Sequence, residues 1–294
     1  MAEINLNGLG VALITPFHKD LSIDFNALAN LIENLISGGT DYIVALGTTA
    51  ETPTLTVEEK QSIAKFIREK VNGRIPLVIG IGGNSTTNVV KEIRNFDLTG
   101  YNAILSVTPY YNKPTQEGLF LHYKAVCDAS PIPIVLYNVP GRTGVNMSPA
   151  TTIKLAEYSE KFIAIKEASG KVDQCEKIIA DAPHGFSLIS GDDALTYDLM
   201  QRGAIGVISV LGNALPHIVK DIVKECVSGH FDRAYSLQNK IHPLITRIFE
   251  DGNPSGVKAL LAHLGLVQNI LRLPLVPVSK NVEEKIIKEV STFL

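Results

Sequence analysis

The chain has 294 residues, 45% of them hydrophobic and 19% charged, and its 27 basic and 30 acidic side chains give a formal charge of −3. That length suits one large α/β barrel or two ordinary domains, and the composition supports a sizeable core and excludes a disordered chain. No basic run tracks a phosphate backbone and no apolar stretch reaches membrane-spanning length, so neither nucleic acid nor a membrane is an expected partner.

The first residues, Met1-Ala2-Glu3-Ile4-Asn5-Leu6-Asn7, lack the basic flank and apolar core of an export signal, which argues for a cytoplasmic protein. The first apolar, β-rich run covers residues 10–17, and an amphipathic stretch, 24–37, follows it with Asp24 as its cap and Gly38-Gly39 at its end. The second run, 42–49, precedes a helical stretch at 56–71 that opens on Thr56-Val57-Glu58-Glu59, a capping box. Runs at 76–83 and 103–111 precede helical stretches at 87–98 and 114–128. The run at 133–140 leads to Ser148-Pro149, a cap residue before a first-turn proline. Runs at 162–169, 186–193 and 204–213 complete the series, the seventh leaving only residues 194–203 for its helix.

Most of these runs are continuously apolar, as strands covered on both faces are. Strand and helix alternating eight times predict an α/β fold, a (β/α)8 TIM barrel. The rival, an open doubly wound sheet, calls for a glycine-rich turn after the first strand, where this chain has Thr15-Pro16-Phe17. Four further helical stretches follow the eighth run, at 215–228, 231–250, 255–264 and 282–290. One completes the barrel, which gives a catalytic barrel over 1–229 and a C-terminal helical appendage over 230–294 packed against it.

Cys127, Cys175 and Cys226 are widely spaced and odd in number, which fits a reducing compartment better than a disulfide or zinc framework. No pair among the seven histidines has ligand spacing, so neither a metal nor a cofactor is expected.

In such a barrel the chemistry gathers at the C-terminal ends of the strands. Lys166 lies there, in a run that otherwise reads as a buried strand, Phe162-Ile163-Ala164-Ile165-Lys166-Glu167. A cation in that place is costly unless paired, neutral or covalently used, and an amine pushed toward neutrality attacks carbonyl carbon. Read alone, it is also a lysine snorkelling from a strand end. Tyr137 and Thr48 fall at the same rim, and a phenol and a hydroxyl suit the proton transfers of Schiff-base chemistry. Gly47-Thr48-Thr49 offers backbone N–H groups and hydroxyls as a carboxylate cradle, or else an ordinary capped turn. Arg142, in Pro140-Gly141-Arg142-Thr143-Gly144, has the planar fork for a second carboxylate, or is a solvated loop arginine. Glu167, next to Lys166, points to the other side of its strand and is structural; Asp193 is expected to cap the following helix.

These motifs together resemble the dihydrodipicolinate synthase family, among the pyruvate-dependent aldolases related to N-acetylneuraminate lyase. The resemblance runs through Gly47-Thr48-Thr49-Ala50-Glu51, Val107-Thr108-Pro109-Tyr110-Tyr111-Asn112, Leu136-Tyr137-Asn138-Val139-Pro140-Gly141-Arg142, Ile165-Lys166-Glu167-Ala168 and Ser190-Gly191-Asp192-Asp193. It implies a Schiff base between Lys166 and pyruvate, and a proton relay of Tyr137, Thr48 and Tyr111, the last entering a neighbouring subunit's site. It also implies that Thr48 and Thr49 hold the pyruvate carboxylate, that Arg142 binds the carboxylate of aspartate-4-semialdehyde, and that Gly191 and Ile208 contribute backbone groups. The product would feed lysine and diaminopimelate synthesis, and the assembly would be a homotetramer, a dimer of dimers.

Three departures stand out against that family. Ala50 replaces a common glycine and requires a negative φ. At the lysine-effector site of regulated members, Asn84 and Tyr110 match, but Asn88 replaces an acid and Lys60 stands where some have histidine, so a cationic effector should bind weakly. Ser255-Gly256 replaces a common Ile-Pro. A sugar-acid aldolase of the same group would share Lys166, Tyr137 and the threonines but lack the Arg142 loop and the doubled tyrosine. A non-catalytic keto-acid regulator would be expected to have lost Lys166 or Tyr137.

Overall fold

The computed structural model describes residues 4–293; residues 1–3, part of the stretch read for an export signal, lie outside it, as does Leu294. Eight strands form one closed parallel sheet in sequence order: β1 (Gly8–Ala12), β2 (Tyr42–Ala45), β3 (Leu77–Gly80), β4 (Ala103–Val107), β5 (Ile134–Asn138), β6 (Phe162–Glu167), β7 (Ser187–Ser190) and β8 (Gly206–Ser209), with β8 pairing back onto β1. Every expected run overlaps a strand, the first starting two residues late, and each run overshoots its strand's C-terminal end. The reason is visible after β1, where Leu13, Ile14 and Phe17 lie beyond the strand's last residue yet are as buried as the strand, in the apolar layer between sheet and helices.

Strand parity decides what faces the lumen. Val135 and Tyr137 of β5 and Ala164 of β6 belong to the inner apolar cluster, whereas Leu136 and Ile165 belong to the outer one between sheet and helices. Lys166 shares the parity of Ala164 and faces inward, in register with Tyr137. Glu167 faces outward, where it accepts hydrogen bonds from Asn138 Nδ2 (3.0 Å), Gln174 Nε2 (3.1 Å) and the Ser169 N–H (2.7 Å). Burial raises its pKa against those bonds. Its expected structural role holds.

The outer layer comprises α1 (Phe25–Ser37), α2 (Val57–Val71), α3 (Thr86–Asn95), α4 (Gln116–Ala129), the single turn α5 (Pro140–Thr143), α6 (Pro149–Tyr158), α7 (Val172–Asp181), α8 (Thr196–Gln201) and α9 (Pro216–Val227). Asp24 caps α1 through the Ala27 N–H (2.9 Å), Thr56 and Glu59 form the capping box of α2, and Ser148 caps α6 through the Thr151 N–H (3.2 Å). The seventh unit is short, as its sequence allows: a 3₁₀ turn at Asp193–Leu195 and then six residues of α8.

Asp193 does not cap that helix, contrary to expectation. Its neighbour Asp192 accepts from the Ala194 N–H (2.9 Å), while the buried Asp193 carboxylate crosses to the end of β8, taking the Ser209 hydroxyl and the N–H groups of Val210 (2.9 Å) and Leu211 (3.0 Å). Burial raises its pKa.

Three more helices follow, α10 (Phe231–Glu250), α11 (Ser255–His263) and α12 (Lys280–Val290). Ile241, Leu244, Val257, Leu260, Val282 and Ile286 join the same buried cluster as the helices that clothe the barrel. Cys127, Cys175 and Cys226 are buried free thiols, and burial pushes Cys175 up to about 12 and Cys226 to about 11.

Candidate active site

Lys166 ends the inward face of β6 with 5% of its surface exposed, its Nζ 4.5 Å from the centroid of the Tyr137 ring. Among the described residues the fully buried lysine–carboxylate pair belongs to Lys258 and Glu51; Lys166 has no carboxylate within ion-pair distance. It opens instead onto a cavity of about 580 Å³ that Thr48, Thr49, Tyr137, Arg142, Gly191 and Asn253 also line. An amine not engaged by a carboxylate, at the wall of a cavity, is available to attack a carbonyl carbon.

The threonines stand on a 3₁₀ turn, Thr48–Ala50, bracketed by two left-handed residues, Leu46 (φ 54°) and Glu51 (φ 55°). Ala50 itself is not left-handed, so a side chain is tolerated there. The turn crosses β3 at Gly80, where a Cβ would lie 2.2 Å from the Leu46 carbonyl oxygen. Gly47 O accepts from the Thr52 hydroxyl (2.8 Å) and Thr15 Oγ1 donates to Ala50 O (2.8 Å), tying the turn to its surroundings.

Arg142 lies in the turn α5, which Pro140 begins and Gly144 (φ 73°) ends. Its Nη2 donates to the carbonyl of Asn253 (3.1 Å), and among the described residues the rest of the fork has no other hydrogen-bond partner. The N–H of Gly191 is engaged by Glu167 O (2.8 Å), so only its carbonyl is left for a ligand. Ile208 is buried in β8 and lines neither of the two cavities at this rim. Tyr111 is also absent from both cavities; it projects outward, 88% exposed, with φ 74°.

Sequence reasoning missed Asn253. It is 7% exposed, its Nδ2 donates to Thr49 Oγ1 (3.0 Å), and its buried Oδ1 has no partner among the described residues. One residue of the C-terminal region thus touches both the threonine turn and Arg142. The only local signal was its place ahead of Pro254 in the Ser255-Gly256 stretch.

Comparison with known proteins places the chain in a family. Residues 5–293 match the Dihydrodipicolinate synthetase family. The chain belongs to that family. It is 51% identical over 286 residues to a 4-hydroxy-tetrahydrodipicolinate synthase of Parabacteroides distasonis, covering 97% of this chain and 96% of the relative. Dihydrodipicolinate synthase from Aquifex aeolicus superimposes with a TM-score of 0.95 at 40% identity, with 98% of each chain covered. The chloride-inhibited dihydrodipicolinate synthase of Acinetobacter baumannii, solved with pyruvate, gives 0.95 at 39% identity and 98% coverage of each chain.

The effector residues anticipated for this family fall near a second cavity, of about 340 Å³, which shares Thr48, Tyr137 and Arg142 with the first. Lys60 and Tyr110 line it, together with Glu92, whose carboxylate pairs with Lys60 Nζ at 3.1 Å. Asn84 lies outside the lining, its carbonyl accepting from Asn112 Nδ2 (2.9 Å), and Asn88 is exposed on α3. Glu92 is a partner that sequence reading did not single out.

Proposed function

We propose that this family member condenses pyruvate with L-aspartate-4-semialdehyde to 4-hydroxy-tetrahydrodipicolinate, in lysine and diaminopimelate biosynthesis, through a Schiff base on Lys166. The observation that carries the reading is the buried Lys166 amine, without a carboxylate partner, facing a cavity that Tyr137, Thr48 and Thr49 also line. The amine adds to C2 of pyruvate and expels water to give an iminium. That cation draws electrons from C3, whose proton leaves, and the resulting enamine carbon attacks the aldehyde. The amino group of the second substrate then attacks the imine carbon, which closes the ring and releases Lys166.

Thr48 and Thr49 hold the pyruvate carboxylate, and Tyr137 with Thr48 moves the protons. Arg142, whose donors are only partly engaged, receives the semialdehyde carboxylate. Gly191 contributes its carbonyl and Ile208 a backbone group. Tyr111 completes the relay from a second copy, a role supported by its exposure and outward direction. On this reading the assembly is a tetramer of two tight dimers in the cytoplasm, with residues 1–229 as catalytic barrel and 230–294 as a helical region packed on it. Among the described residues no helix is long and apolar enough to cross a membrane.

The test is turnover with two substrate pairs. Pyruvate with aspartate-4-semialdehyde should be consumed, and pyruvate with N-acetylmannosamine should not; the opposite pattern would make the chain a sugar-acid lyase.

A further inference from the structure

Lys258 is wholly buried, yet it takes no part in the chemistry at Lys166. Its ammonium donates to the Glu51 carboxylate and to Ile270 O (2.9 Å) and lies 4.3 Å from the Phe17 ring centroid. The other oxygen of Glu51 accepts from the Arg272 N–H (3.0 Å), so two points of the C-terminal region grip one carboxylate. Glu51 directly follows the 3₁₀ turn that carries Thr48 and Thr49. Its φ of 55° is a conformation that a non-glycine residue keeps only where its surroundings enforce it.

The Ser255-Gly256 pair explains how Lys258 reaches that carboxylate. A Cβ on Gly256 would lie 2.0 Å from the carbonyl oxygen of Ile248, so α11 starts in direct contact with the backbone of α10. Ser255 Oγ fastens the same start to Val276 O (2.7 Å). These two contacts fix the start of the helix from which Lys258 reaches Glu51, while Asn253, just upstream, holds Thr49 Oγ1.

We propose that Lys258 is a positioning residue for the pyruvate half of the site: by pairing with Glu51 it holds residues 47–51 in the conformation that presents Thr48 and Thr49 to the cavity beside Lys166. This rests on the reading that those threonines bind the pyruvate carboxylate. The lever is short, since Glu51 is two residues from Thr49, and a displaced Glu51 moves the hydroxyls directly. Preorganised donors lose their effect when misplaced by an ångström or so.

The experiment compares wild type with the double variant Glu51→Gln/Lys258→Met, which removes the pair without leaving a lone buried charge. Steady-state kinetics give KM separately for pyruvate and for the semialdehyde, and borohydride trapping on wild type shows independently whether the Schiff-base reading stands. The expected result is a rise of about tenfold or more in pyruvate KM, with the semialdehyde KM changed less than about threefold. A folded double variant with unaltered pyruvate KM, or with both constants shifted alike, overturns the proposal. Should the double variant not fold, Glu51→Asp keeps the charge but withdraws it by one methylene. A pyruvate KM raised about threefold then supports the proposal, and an unchanged one overturns it.

Discussion

Lys166 and Lys258 are both withdrawn from water, and both hold their Nζ over an aromatic ring, 4.5 Å from Tyr137 and 4.3 Å from Phe17. They differ in what completes the shell. Lys258 is paired with Glu51 and lines neither cavity at the rim; burial drives its pKa down to about 8 while Glu51 pulls the other way. Lys166 has no carboxylate and opens on a cavity with two threonine side chains and an arginine. Burial and a neighbouring π face are therefore common to the lysine read as structural and the one proposed as reactive. The missing counter-ion and the open volume separate them.

The sharpest way to break this contrast is to remove each amine. Lys166→Ala should lower kcat by roughly 10³-fold or more, with the fold intact, because the covalent step has no substitute. Tyr137→Phe should cost roughly 10²-fold or more in kcat if the phenol relays protons, and little if the ring only packs beneath Lys166. Lys258→Met leaves an unpaired buried carboxylate and should cost about 3–5 kcal/mol in urea unfolding, a loss Lys166→Ala should not show. Arg142→Ala should raise the semialdehyde KM by roughly 10–100-fold and leave pyruvate trapping unaffected, as expected for a lost charged hydrogen bond. The smallest effect concerns the second cavity. There Lys60 already occupies Glu92, so millimolar lysine should leave the rate nearly unchanged; strong inhibition would show that a cationic effector still binds.

The fold was legible because its signals are local. Continuous apolar runs, Asp24, the Thr56–Glu59 capping box and Ser148 each act within a few residues, and the structure uses them all as caps or strands. Strand ends were not legible, because residues just past a strand, such as Leu13, Ile14 and Phe17, are as apolar and as buried as the strand itself. The cap was placed on Asp193, one residue late, since sequence cannot tell which of two adjacent carboxylates turns toward the helix and which crosses to β8. The support of the threonine turn was invisible for a different reason. Asn253 lies 204 residues from Thr49 and Lys258 lies 207 from Glu51, and contacts of that separation leave no periodic trace. Lys166, Tyr137, Thr48 and Arg142 could be named early because the barrel rule converts strand order into a shared rim.

One measurement addresses the central claim: intact-mass and peptide analysis after incubating the protein with pyruvate and borohydride. The expected outcome is a single reduced pyruvyl adduct on the peptide bearing Lys166, with the Lys258 peptide unmodified. An unmodified protein, or an adduct on another lysine, would contradict the account.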